Sequence, residues 1–141
     1  MKLLVALDGS KNSLTAAKYA ASLAASLKGK SHITLMSVHD DTALKHFKKY
    51  VPKDTVSDYL RGLSEKDMAS AQKLFDKIGV AHDMVIRFGH PAEEIKAMSE
   101  SGKFDLIVMG SKGRSSIKDM VVGSVAHKVL AIAKVPVLLV K

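Results

Sequence analysis

Lys2-Leu-Leu-Val-Ala-Leu7, then Asp8-Gly9-Ser10, then an alanine-rich stretch ending near Gly29, then His32-Ile-Thr-Leu-Met-Ser-Val38: the first 38 residues decide the fold. The two apolar runs are short and continuous, the pattern of strands buried on both faces. Between them Ala17, Ala20, Ala24 and Leu27 recur at helical spacing, and Gly29 stands where a C-cap glycine is expected. Two strands joined by a helix rather than a tight turn pair in parallel.

The same alternation runs to the last residues. A loop or short helical insertion is expected from His39 to Asp54, where Lys45, Lys48, Lys49 and Lys53 cluster and Pro52 breaks any helix. Val56, Leu60, Leu63, Ala71, Leu74, Phe75 and Ile78 trace an apolar stripe interrupted near Lys66 and closed by Gly79. Met84–Phe88 is a third strand. His90-Pro91 opens a helix with Glu93 and Glu94 at its favourable end and Gly102 at its close. Leu106–Met109 is a fourth strand, Val125, Val129 and Ile132 mark a last helix, and Val137–Val140 is a fifth strand. Five strands with helical crossovers predict a single α/β domain over residues 1–141, three-layered, with a parallel sheet flanked by about four helices. Such sheets bind ligands outside the carboxyl ends of their strands, where strand order reverses.

Composition narrows the function. A chain of 141 residues with 47% hydrophobic and 26% charged residues is globular, and at this length it buries about 68–70% of the surface that its unfolded form exposes. Cysteine is absent, which removes thiol catalysis, disulfides and thiolate metal sites. The net charge of +8 invites a polyanionic partner. Yet residues 1–70 and 71–141 each carry 11 basic and 7 acidic residues, so no arm or tail concentrates the excess. With no Trp and seven Phe or Tyr, a base-stacking platform is also lacking, and a nucleic-acid partner is not expected. No targeting leader opens the sequence, and no apolar run approaches the roughly 20 residues of a membrane span, so a cytoplasmic location is expected.

The loop after the fourth strand carries the strongest chemical signal: Gly110-Ser-Lys-Gly113-Arg-Ser-Ser-Ile-Lys-Asp-Met-Val-Val-Gly123-Ser124, in the pattern G-x2-G-x9-G-S. Glycines let backbone N–H groups approach an anion, and Gly123-Ser124 stands at a helix N-terminus, a phosphate-binding arrangement. Lys112, Arg114 and Lys118 add positive charge. The competing reading has Gly110 and Gly113 merely turning the chain, with one continuous helix from Ser116 capped through Asp119. Neither G-x-x-x-x-G-K-[ST] nor G-x-G-x-x-G is present. Asp8, at the end of the first strand, either accepts hydrogen bonds from a nucleoside or makes an Asx-turn.

Other constellations are weaker. His39-Asp40-Asp41 as a metal site fails because three adjacent side chains diverge. The remaining histidines lack i, i+4 partners, no G-x-S-x-G elbow exists, and the acidic pair of a receiver domain is missing.

Val5-Ala-Leu-Asp-Gly-Ser10, Gly89-His-Pro-Ala-Glu-Glu-Ile95, the Gly110–Ser124 loop and Val135-Pro-Val-Leu-Leu-Val140 together resemble the universal stress protein family over the whole chain. The glycine loop resembles that of the family's ATP-binding branch. The resemblance implies strand order 3-2-1-4-5, with the reversal between strands one and four. It implies that Ala6 and Asp8 border adenine and ribose, that the Val38 backbone meets the adenine edge, and that Met109 and Gly110 line the ribose side. Gly113, Gly123, Ser124 and Val125 would surround the phosphates, with Lys112 and Arg114 in supporting electrostatic roles. It further implies ATP with Mg2+ or Mn2+ held through the phosphates, a homodimer formed by antiparallel pairing of Val137–Val140, and a stress-response role exerted through an unidentified regulatory protein partner. No general base is evident, so slow or partner-stimulated ATP hydrolysis or phosphotransfer, and a nucleotide-independent dimeric interaction module, are the alternatives.

Overall fold

The computed structural model describes residues 1–40, 50–114, 118–119 and 121–141. In chain order the elements are β1 (Lys2–Leu7), α1 (Lys11–Ser26), β2 (His32–His39), α2 (Lys53–Ile78), β3 (His82–Phe88), α3 (Pro91–Ser101), β4 (Leu106–Gly110), α4 (Ser124–Ile132) and β5 (Val137–Val140). The strands form one parallel sheet of order β3-β2-β1-β4-β5. Strand order therefore reverses between β1 and β4, as expected, and the crevice at that point is where a ligand belongs.

Each face of the sheet has its own core. Leu3, Val5 and Leu7 of β1, Ile33 and Leu35 of β2 and Val108 of β4 pack on Ala16, Ala17, Ala20 and Ala21 of α1 and on Met68, Ala71 and Phe75 of α2. Alanine on α1 brings the helix close to the sheet while costing little side-chain entropy. On the other face Leu4, Met36, Ile107 and Met109 meet Ala92 and Ile95 of α3 and Ala126 and Val129 of α4. No helix of the described residues is long and apolar enough to cross a membrane.

One local expectation is corrected, and two other readings are resolved. Helix α1 ends at Ser26, with Leu27 already extended, so Gly29 (φ +109°) serves the following turn and does not cap the helix. Helix α2 runs for 26 residues to Gly79, and the interruption of its apolar stripe near Lys66 is two inward-facing polar residues, Ser64 and Asp67. The competing reading of one continuous helix is not met at the described residues: Lys118 and Asp119 lie in a turn, Val121 and Val122 in a bend, and α4 starts at Ser124. Asp41 and the basic residues Lys45, Lys48 and Lys49 fall outside the described residues.

Candidate functional site

The floor of the site is a row across three strands. Parallel register sets Ala6 of β1 beside Met36 of β2 and beside Met109 of β4. A small alanine between two methionines leaves a hollow in the centre of the sheet. Pro91 and Ile95 of α3, Val125 and Ala126 of α4 and Val38 of β2 wall it, giving a cavity of about 220 Å³ at the carboxyl ends of the strands. The floor is apolar, while Asp8, Lys112, Gly113 and Ser124 stand at its rim.

The rim is built by three anchors on the segment that follows β4. Asn12, in the first turn of α1, accepts the Lys112 N–H through Oδ1 at 2.8 Å and donates from Nδ2 to the Val140 carbonyl at 3.2 Å. A β-carbon on Gly110 would run into Asn12, so glycine is required for that approach. Asp8 is the second anchor. Its Oδ1 accepts the Ser10 N–H at 3.0 Å and its Oδ2 the Arg114 N–H at 3.2 Å, across 106 residues of sequence. Burial by itself would raise the Asp8 carboxyl pKa, but hydrogen bonds from Ser10, Ser13 and the Arg114 backbone outweigh it and hold the group below its ordinary value. The third anchor closes the loop on itself: the Gly123 N–H donates to the Ser111 carbonyl at 2.6 Å. Gly123 is the N-cap of α4 and makes no side-chain cap, so Ser124, Val125 and Ala126 bring the helix N-terminus to the cavity wall.

A polar triad centred on one buried carboxylate lies on the opposite side of β1. Asp67 of α2, with its side chain only 4% exposed, pairs with the Arg114 guanidinium and accepts from His39 Nε2 at 3.0 Å. Burial, and then the positive charge of Arg114, lower the His39 pKa, so the imidazole faces the carboxylate as a neutral donor. His39, weighed from sequence as part of a metal cluster, is thus turned into the protein toward α2.

All eleven residues singled out from sequence line this one cleft: Ala6, Asp8, Val38, Met109, Gly110, Lys112, Gly113, Arg114, Gly123, Ser124 and Val125. Lys118 does not; it is exposed in a turn. Sequence reasoning missed Met36, Pro91, Ile95, Asn12 and Asp67. Asp67 did leave a trace. It falls on the apolar stripe of α2, three residues after Ser64 and four before Ala71, where a charged residue needs a buried partner.

The family model described as "Universal stress protein family" matches residues 1–141. The chain belongs to the universal stress protein family. Universal stress protein YxiE of Bacillus subtilis is 32% identical over 146 aligned positions, covering 99% of this chain and 98% of that protein. The solved structure of MJ0577, from Methanocaldococcus jannaschii, superposes with a TM-score of 0.85 at 26% identity, over 99% of this chain and 94% of that one. A universal stress protein from Archaeoglobus fulgidus, solved in complex with dAMP, shares the fold with a TM-score of 0.67 at 22% identity, over 100% and 98% of the two chains.

Proposed function

We propose that the cleft binds ATP, with Mg2+ or Mn2+ held through its phosphates, and that the protein is a cytoplasmic, homodimeric regulatory module whose output passes to a protein partner according to nucleotide state. The observation that carries this reading is the combination of an apolar hollow over Ala6 with a glycine-backed rim and a helix N-terminus on one side of it.

The residues suit the ligand's parts. A planar base fits a hollow floored by Met36, Ala6 and Met109, with Val38 at its edge. Asp8 is ionised at the rim, where a ribose hydroxyl can take the place of a serine hydroxyl among its donors. Gly113 and Gly123 keep backbone close on the phosphate side, where Ser124, Val125 and the dipole of α4 favour negative charge. Lys112 adds a cation at the same rim. When bound, the nucleotide supplies a charge state that a partner can read. Asp8, with its lowered pKa, is a weak proton acceptor near neutral pH, so the reading is binding and not rapid hydrolysis.

Titration calorimetry with ATP, ADP and AMP, with and without Mg2+, tests the proposal, alongside native mass spectrometry for co-purified nucleotide. Saturable binding of ATP at one site per chain is expected. No heat and no retained nucleotide at millimolar ligand would overturn it.

A further inference from the structure

We infer that Asp67 is a positioning residue of the cleft: from α2 it holds the Arg114 guanidinium, so that Arg114 straps the Gly113–Arg114 segment across the end of β1 and does not serve as a phosphate ligand. The inference rests on the nucleotide reading above for its consequence, though not for its geometry.

Arg114 is held at both ends. Its N–H donates to Asp8 Oδ2, and its guanidinium reaches Asp67 Oδ1. The pair lies directly over Gly9, where any β-carbon would run into both the Arg114 guanidinium and the Asp67 carboxylate. Gly9 also takes φ +80°, a conformation other residues resist, so the turn after β1 is shaped to let the strap cross it.

Burial decides which anion Arg114 serves. Asp67 is almost fully buried, while the Arg114 side chain is 55% exposed and reaches in to it; taking the cation away leaves a carboxylate that water cannot solvate, a cost that falls on Asp67. His39 gives the same carboxylate one hydrogen bond, at its other oxygen. Moving Arg114 to a phosphate would therefore take the guanidinium from Asp67 and leave the buried carboxylate with His39 as its remaining partner among the described residues. The positive charge expected of Arg114 toward the ligand is directed to Asp67, and Lys112, together with the N-terminus of α4, is left to meet the phosphates.

The test uses Asp67→Asn, Arg114→Ala, Arg114→Lys and the Asp67→Asn/Arg114→Ala double variant, with two readouts. The first is amide hydrogen exchange of Gly113 and Arg114 without nucleotide. Asp67→Asn and Arg114→Ala are each expected to speed it by about tenfold or more while β1 and β4 amides stay protected, and Arg114→Lys is expected to recover part of the protection. The second is affinity for AMP and ATP. Each single variant is expected to weaken both ligands by the same factor, about tenfold, with the double variant no weaker than Arg114→Ala alone. A loss that grows from AMP to ATP in Arg114→Ala, with Asp67→Asn unchanged, makes Arg114 a phosphate ligand and overturns the inference. Additive effects overturn it as well. Should the wild type bind no adenine nucleotide, the functional reading fails while the exchange measurement still decides the strap; should Asp67→Asn not fold, the two Arg114 variants carry it.

Discussion

Two glycines of the loop look alike in sequence but meet different surroundings. A β-carbon on Gly113 would come 2.8 Å from Asp8 Oδ2, and that carboxylate cannot swing away without giving up the N–H groups of Ser10 and Arg114. Gly113→Ala is therefore expected to displace Asp8, to weaken ATP by about tenfold or more, read by calorimetry, and to lower the thermal midpoint as Asp8 gives up those bonds. A β-carbon on Gly123 would sit 3.4 Å from Gly113 N and Lys112 Cα, an ordinary contact, so alanine fits there. The branches of valine add bulk over the same backbone. Gly123→Val is expected to abolish ATP binding with the fold intact, and equal affinity of the two forms would refute this. Asp8 also imposes a pH dependence. Because its folded pKa lies below the ordinary 3.8, its hydrogen bonds contribute stability that is present above that value and is lost as pH falls through the lower folded value. Acid denaturation of wild type and Asp8→Asn should show it: the stability advantage of the wild type persists at neutral pH and shrinks below about pH 4. A constant difference down to complete protonation would assign the advantage to packing.

At the scale of elements, the N-terminus of α1 organises the rim. Ser10 Oγ accepts the Ser13 N–H at 3.1 Å as an N-cap, and the next residue but one, Asn12, ties the loop after β4 to the end of β5. Ser10→Ala removes the cap and is expected to cost about 1 kcal/mol in urea denaturation, within the range of cap deletions. A loss under about 0.3 kcal/mol would mean that the Ser13 hydroxyl, which donates to the Ser10 carbonyl, holds the turn by itself. The strands were legible in sequence because burial on both faces writes continuous apolar runs, and Pro91 at N1 and Gly79 at the end of α2 are local signals read locally. What stayed hidden was long-range. The interruption of the stripe near Lys66 is two polar residues that face inward: Asp67 meets His39 and Arg114 from other parts of the chain, and Ser64 is small enough to be enclosed by the core. Asn12 and Lys112 are 100 residues apart, and no spacing rule joins them. Met36 and Ala6 become neighbours only through parallel register, so the hollow between two methionines exists in the sheet and not along the chain.

For the whole molecule, the sheet has two edges, and β5 is the one beside the cleft. The N–H groups of Ile107 and Ser111 donate to the carbonyls of Pro136 and Val140, which turns the backbone of alternate residues, Leu138 included, toward β4 and leaves that of Val137 and Leu139 facing outward. The strand is apolar on both faces and half-buried, and α4, packed against it, exposes Leu130 at 47%. An edge of this kind is a template for pairing, and a two-fold axis across it would pair it antiparallel with a second copy. The net charge of +8 does not forbid this, since its excess is evenly divided along the chain and Arg114 spends its share on Asp67. Leu139→Pro removes one outward N–H while sparing the bonds to β4, a substitution that edge strands tolerate. Leu139→Ala, which trims the side chain but keeps the N–H, is the control. In sedimentation velocity the wild type and Leu139→Ala should run at about 30 kDa, twice the 15.2 kDa chain, and Leu139→Pro as the folded monomer. A wild type that sediments as a monomer would refute the dimer, and a Leu139→Pro variant that stays dimeric would place the interface elsewhere than this edge.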